Sequence, residues 1–187
     1  MRLGLASFVL CLLLCGCSLP LRIAVEGADE NAKANGRLLN IRIERWGEVR
    51  FSGLLALRPE GQGLYYALLD ATGVKLLEAT VVGDGEHRLL HVKGALQDSG
   101  LDGFLAEVLA RTYLQEPATL PCAGTWLYQV CREQRADGGW QKYGQAGPLP
   151  IWKVGTGSGQ GSGNEAVIYR QPWIGIRIFL EATKLSG

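Results

Sequence analysis

Residues 48–93 alternate short strand-patterned runs with turns too tight for anything but hairpins. Val49, Phe51, Gly53, Leu55 and Leu57 alternate with Glu48, Arg50, Ser52, Leu54 and Ala56. Successive strand side chains point to opposite faces, so this run has one apolar wall and one mixed wall. Pro59-Glu60-Gly61-Gln62 is a turn signal, and a second strand is predicted over 64–70. Ala71-Thr72-Gly73 turns it into a third over 75–82, and Gly83-Asp84-Gly85 turns that into a fourth over 87–93. Loops this short make the strands antiparallel neighbours. Upstream, Leu39, Ile41 and Ile43 alternate with Asn40, Arg42 and Glu44, predicting one more strand, turned by Trp46-Gly47.

After Gly94 the period changes. Leu101, Leu105, Val108, Leu109 and Thr112 follow one helical stripe, and Pro117 ends it. Ser99 with Asp102 is a weaker form of the capping box, and Glu107 and Arg111 are expected to pair on the exposed face. A sheet with one apolar wall needs a cover, and this amphipathic helix over 101–114 is the natural one. A second β region starts at Pro121. Strands are expected over 124–132 (Trp126, Tyr128 and Val130 on one face), 140–143, 149–154, 166–170 and 173–181, where Ile174, Ile176, Ile178 and Leu180 share a face. Residues 155–164 are rich in Gly and Ser. They lack the Lys-Ser/Thr ending and the following helix of a phosphate loop, so a flexible hairpin loop is expected. The predicted class is α+β, mostly β: a curved antiparallel incomplete barrel covered by an amphipathic helix.

The first residues place the chain. Arg2 precedes an apolar run over 3–14, shorter than the roughly 20 residues a membrane-spanning helix needs and proportioned like a secretory signal. Leu14-Cys15-Gly16-Cys17-Ser18 resembles a bacterial lipobox. That resemblance implies cleavage after Gly16 and lipidation (palmitate among the acyl chains) of Cys17. The alternative is a plain signal peptide with incidental cysteines. Ser18, where Asp would favour retention in the inner membrane, implies the outer membrane, facing the periplasm. The expected organisation is a signal over 1–16, a lipid-anchored tether over 17–37 with a possible short helix over 30–34, and a β domain over 38–187. Several buried acyl chains, at about 0.8 kcal/mol per methylene, anchor permanently.

After cleavage 187 − 16 = 171 residues remain, enough for one domain with a real core. Loss of Arg2 leaves 18 basic and 18 acidic residues, which argues against a nucleic-acid partner, and no charge run marks a polybasic membrane patch. Cys122 and Cys131 are the two cysteines outside the signal and lipobox. In an oxidising envelope they are expected to form a disulfide, closing a ten-residue loop; the rival, a metal site, has poor ligand spacing.

The order strands–helix–strands behind a lipobox resembles the LolA/LolB-like lipoprotein-carrier superfamily. The resemblance lies in Phe51-Ser52-Gly53 through Leu57, in residues 68–77, and in Phe104-Leu105-Ala106-Glu107-Val108-Leu109 before Pro117. It implies acyl chains held between the sheet and a helical lid, in lipid or lipoprotein trafficking with a chaperone character. Phe51, Leu55, Leu57, Leu76, Leu105, Leu109, Ile176 and Ile178 are the candidate lipid-pocket lining; the same residues would equally make a dry core. The superfamily's outer-membrane receptor carries a large apolar residue on a protruding loop. The matching turn here, Ala71-Thr72-Gly73-Val74, has no Leu or Phe at its tip.

Two other readings stand beside this one. One is a structural or assembly lipoprotein that binds a periplasmic protein partner, with Trp140, Trp152 and Trp173 as interface anchors or as core. The other is an enzyme. His87 and His91 are four apart on a strand and so expected on one face, but a third metal ligand is not evident, and no Ser-His-Asp or Cys-His spacing is legible. The expectation is a non-enzymatic chain without cofactor or metal.

Overall fold

The computed structural model describes residues 36–158 and 165–183. The expected signal, Cys17, the tether up to residue 35 with its short helix, the centre of the Gly/Ser run over 159–164 and the last four residues lie outside the described residues.

The hairpins predicted from the alternation are present. The first half holds β1 (Arg37–Arg45), β2 (Glu48–Glu60), β3 (Gly63–Leu69), β4 (Lys75–Val81) and β5 (His87–Val92). Helix α1 (Leu101–Leu109) follows. The second half holds β6 (Cys122–Gly124), β7 (Gln129–Gln134), β8 (Trp140–Ala146), β9 (Leu149–Ser158), β10 (Glu165–Gln171) and β11 (Ile176–Ala182). All eleven make one antiparallel sheet in the order β5-β4-β3-β2-β1-β11-β10-β9-β8-β7-β6. Two meanders are thus joined where the first strand pairs with the last: Ile41 lies opposite Leu180, and Ile43 opposite Ile178. β5 and β6 end the order unpaired to each other, so the sheet is open.

One face carries the core. Leu39, Ile41 and Ile43 of β1 are buried with Leu55 and Leu57 of β2, Tyr66 and Leu68 of β3, Leu77, Ala79 and Val81 of β4, and Ile178 and Leu180 of β11. Leu105, Val108 and Leu109 of α1 complete this cluster from above. Burying each such side chain stabilises by about 1.5–3 kcal/mol relative to leaving it in water. The helical segment touches β4 near one end of the strand order and Lys142 of β8 near the other. Those strands stand seven steps apart, roughly 34 Å in a flat sheet at the usual interstrand spacing. A curved, incompletely closed barrel is consistent with that reach.

Local structure departs from expectation at three places in the second half and one at the start of α1. Residues 125–128 are not strand: the Thr125 amide donates to the Tyr128 carbonyl (2.8 Å), closing a turn that leaves Trp126 in solvent. β9 runs on to Ser158 through the Gly/Ser run, because ladder hydrogen bonds need no side chain; Gly155 pairs with Gln141 and Ile168, and Gly157 with Ala166. Trp173 and Ile174 sit in a tight turn (Pro172–Ile174) ahead of β11, so the apolar face of the last strand starts at Ile176. This turn ends on Gly175 at φ +65°, with the Trp46 ring so close that a Cβ would stand 2.3 Å from it. Fourth, the capping box does not form. Gly100 is the cap residue, Ser99 Oγ accepts from the Leu101 amide (3.2 Å), and Asp102 turns toward the sheet.

Candidate functional site

The space between α1 and the sheet is where the candidate lining residues fall. Leu55, Leu57, Leu105, Leu109 and Ile178 are buried in the one core cluster, and Phe51 and Ile176 pack half-buried against it. Leu76 does not join them. Leu77 stands opposite Leu68 and alternates with Ala79 and Val81 on the core face, so Leu76 falls out of that row; the register shifts only beyond this pair, where Leu69 lies opposite Lys75. The sheet's inner wall extends beyond the buried cluster: Phe51 (opposite Ile43), Ile176 and Val167 (opposite Leu180) share its face and stay partly exposed.

Polar contacts fix both ends of the helical segment. At its start the buried Tyr66 hydroxyl donates to the Asp102 carbonyl (2.9 Å). Burial, reinforced by the Asp102 carboxylate, pushes that hydroxyl's pKa well up, so it stays a donor. His87 Nε2 stands 3.3 Å from Asp102 Oδ2. At its end α1 widens into a π-type turn (Ala110–Leu114), where the Gln115 amide donates to the Ala110 carbonyl (2.8 Å). Helix ends leave carbonyls without partners. Here Lys142, wholly buried on the inner face of β8, supplies them: Nζ donates to the carbonyls of Gln115 (2.5 Å) and Thr112 (3.2 Å) and to Glu116 Oε1 (3.1 Å). Burial lowers the Lys142 pKa, and the Glu116 carboxylate opposes that shift. Glu116 also accepts from Arg132 (2.9 Å).

Arg111 is not on an exposed face. It pairs with Glu107 as expected, yet it also donates to the Tyr169 hydroxyl (2.8 Å), and its guanidinium lies 5.4 Å from the Trp152 ring centre. Trp152 is buried beneath it, near-parallel to Tyr169 and donating through Nε1 to the Tyr128 hydroxyl (3.0 Å). Gly144 makes room, since a Cβ there would stand 2.2 Å from the indole nitrogen. Burial pushes the Tyr169 pKa up to about 12, with the Arg111 charge pulling the other way.

Cys122 and Cys131 lie opposite each other and form a disulfide across β6 and β7. The tryptophans divide: Trp152 is core, Trp140 is half-buried against it, and Trp173 stands in solvent. The two histidines do not share a face. A register shift between Glu78 and Ala79 sets His87 opposite the core residue Val81 but His91 opposite Glu78, which faces away from α1. Among the described residues no group of three or more His, Cys, Asp or Glu is placed to hold a metal ion, and no helix is long and apolar enough to cross a membrane. Lys142, between Gln141 and Tyr143, and the inward Arg111, one turn after Glu107, carry no legible mark in sequence, and only the fold shows what they reach. Comparison with protein-family models, with curated proteins and with solved structures finds no match.

Proposed function

We propose that this chain is an outer-membrane lipoprotein, anchored at Cys17 and facing the periplasm. It takes up acyl chains of lipids or lipoproteins between the curved sheet and α1, which serves as a lid. The observation that carries the reading is the mismatch between wall and cover: the apolar inner wall reaches past the buried cluster to the half-exposed Phe51, Ile176 and Val167. An acyl chain laid along that margin exchanges water for apolar contact at about 25 cal/mol per Å². No covalent step is involved, and selectivity rests on the length and width of the apolar strip.

A second reading, binding of a periplasmic protein partner, is favoured by the completeness of the core. Leu55, Leu105, Leu109 and Ile178 are already buried against protein neighbours. Native mass spectrometry of the full chain extracted gently from membranes separates the two. A phospholipid or lipopeptide held non-covalently, beyond the mass of the covalent anchor, supports the carrier reading. A clean mass that takes up no added phospholipid overturns it in favour of the partner.

A further inference from the structure

Antiparallel pairing throughout sends the turns β1–β2, β3–β4, β6–β7, β8–β9 and β10–β11 to one end of the sheet. Among the described residues the exposed tryptophans and most of the exposed large apolar side chains gather there. Trp46 is 68% exposed on the first of these turns, Trp126 79% with Leu127 beside it on the third, and Trp173 62% with Ile174 on the last. Leu149 starts β9 at the same end. Trp46, Trp173 and the start of β9 are contiguous: the Trp46 ring lies on Gly175, and Trp173 Nε1 donates to the Pro150 carbonyl (2.8 Å). Among the described residues, turns at the opposite end read Gly61-Gln62, Gly83-Asp84-Gly85-Glu86 and Arg135-Ala136-Asp137-Gly138-Gly139, with Leu38, Val82 and Leu120 as the large exposed apolar side chains nearby.

A second observation concerns charge. Lys153, Arg170 and Arg177 stand directly opposite one another on β9, β10 and β11, and the two arginines flank the Trp173 turn. Like charges opposed across strands destabilise a sheet. Among the described residues none of the three takes part in an ion pair; Glu44 of β1 lies opposite Arg177, but its carboxylate is 3.3 Å from Arg42. Arg45, next to Trp46, is likewise exposed and unpaired among these residues. An apolar, Trp-rich rim backed by a row of cations matches the two layers of an anionic bilayer surface. Indoles settle at the headgroup boundary, and basic side chains meet lipid phosphates.

We propose that this rim docks on an anionic phospholipid bilayer, as a second, protein-borne contact separate from the acyl anchor and from the acyl-binding strip. The geometry permits it at the membrane that would hold Cys17. Eighteen residues lie between Cys17 and Gly36, so nineteen residue steps give an upper reach of about 65 Å, against roughly 30 Å from the start of β1 to its far end.

The test is quenching of tryptophan emission by brominated phospholipids in vesicles bearing the full membrane-extracted chain, with flotation run in parallel. In phosphatidylglycerol-containing vesicles the rim tryptophans are expected to be quenched, and the buried Trp152 to serve as the unquenched internal reference. W126S, on a turn where that side chain is mostly in solvent, removes part of the quenching without touching the core. K153Q/R170Q/R177Q lowers the docked-to-free ratio about a hundredfold, since each basic side chain near an anionic surface contributes about fivefold. A chain that floats but shows no quenching overturns the rim inference and leaves the Cys17 anchor standing. A chain that neither floats nor is quenched overturns both. Quenching unchanged by W126S and by the charge triple overturns this assignment of the surface, and a stoichiometric protein covering these turns in place of lipid reassigns it to a protein interface.

Discussion

The two flanks of the sheet hold the same helical segment by different physics. Strands β1–β4 meet it mainly with aliphatic side chains, Leu55, Leu68, Leu77 and Val81 among them, in contacts that are strong in sum and non-directional, apart from the Tyr66 hydroxyl bond to the Asp102 carbonyl (2.9 Å). Strands β8–β10 meet it with Lys142, Trp152 and Tyr169, through directional bonds to Gln115, Thr112, Glu116 and Arg111. Apolar contacts can be exchanged for an acyl chain like for like. A buried ammonium held by helix-end carbonyls has no such substitute, because stripping it of partners leaves a desolvated charge. If α1 serves as the proposed lid, it is expected to hinge at its C-terminal end, over β8, and to lift at its N-terminal end, over β4 and β5.

The sharpest way to break this contrast is Lys142→Met. It keeps an unbranched side chain of similar length but orphans two carbonyls and half of the Glu116 pairing. A loss of about 3–4 kcal/mol in urea unfolding is expected, with faster amide exchange at residues 110–115. A loss under about 1 kcal/mol would make the two flanks equivalent. Leu105→Ala, on the apolar side, is expected to cost about 3 kcal/mol by lost burial and cavity formation. If the strip accepts acyl chains, added phospholipid should recover part of the Leu105→Ala loss and none of the Lys142→Met loss. Equal recovery in both would remove the hinge from β8.

This asymmetry also marks what the sequence could tell. The strands of the apolar flank were legible because Leu39, Ile41, Ile43 and Leu55, Leu57 alternate at the strand period, and α1 because Leu105, Val108 and Leu109 keep the helical one. Leu76 was misplaced between two adjacent leucines, where the alternation of Leu77 with Ala79 and Val81, against Leu76 with Glu78 and Thr80, marks Leu77 as the core position. His87 and His91 were separated by a register shift between Glu78 and Ala79, and no residue pattern announces a bulge. The polar flank was illegible for a deeper reason. Lys142 lies between Gln141 and Tyr143, and its partners stand more than 25 residues upstream, so nothing local distinguishes it from a surface lysine. The cation row escaped likewise. Lys153, Arg170 and Arg177 make no run in sequence and become neighbours only through strand register.

Alkaline unfolding sharpens the contrast next. Burial pushes the hydroxyls of Tyr113 and Tyr169 up to about 12 from an ordinary value of 10, and raises Tyr66 as well. A folded pKa above the unfolded one gives stability that is whole below pH 10 and lost as pH climbs from 10 to 12. Lys142 acts in the opposite sense: its lowered pKa lets stability rise as pH approaches 10.5, but it is one group against three. Unfolding free energies measured between pH 9 and 12 should therefore fall. Tyr113 makes no side-chain hydrogen bond among the described residues, so Tyr113→Phe should be near neutral at pH 7 and retain about 2 kcal/mol more than the parent protein at pH 12. Equal slopes for the two proteins would place that hydroxyl in water.

The smallest expected effect bears most directly on which end moves. His87 meets Asp102 at the start of α1, with both side chains about a quarter exposed, so the pair is worth under about 1 kcal/mol after solvent screening. His87→Gln should leave the urea midpoint nearly unchanged. Its consequence should be local: faster amide exchange over residues 101–105 and unaltered exchange over 110–115, where the Lys142 contacts remain. A lid hinged over β8 predicts faster association of acyl chains in this variant, because the N-terminal end opens more often. If exchange instead quickens along the whole segment, the helix moves as one body and the two ends are energetically coupled. If neither exchange nor association changes, the Tyr66 hydroxyl on the Asp102 carbonyl is what secures that end, and Tyr66→Phe becomes the variant that frees it.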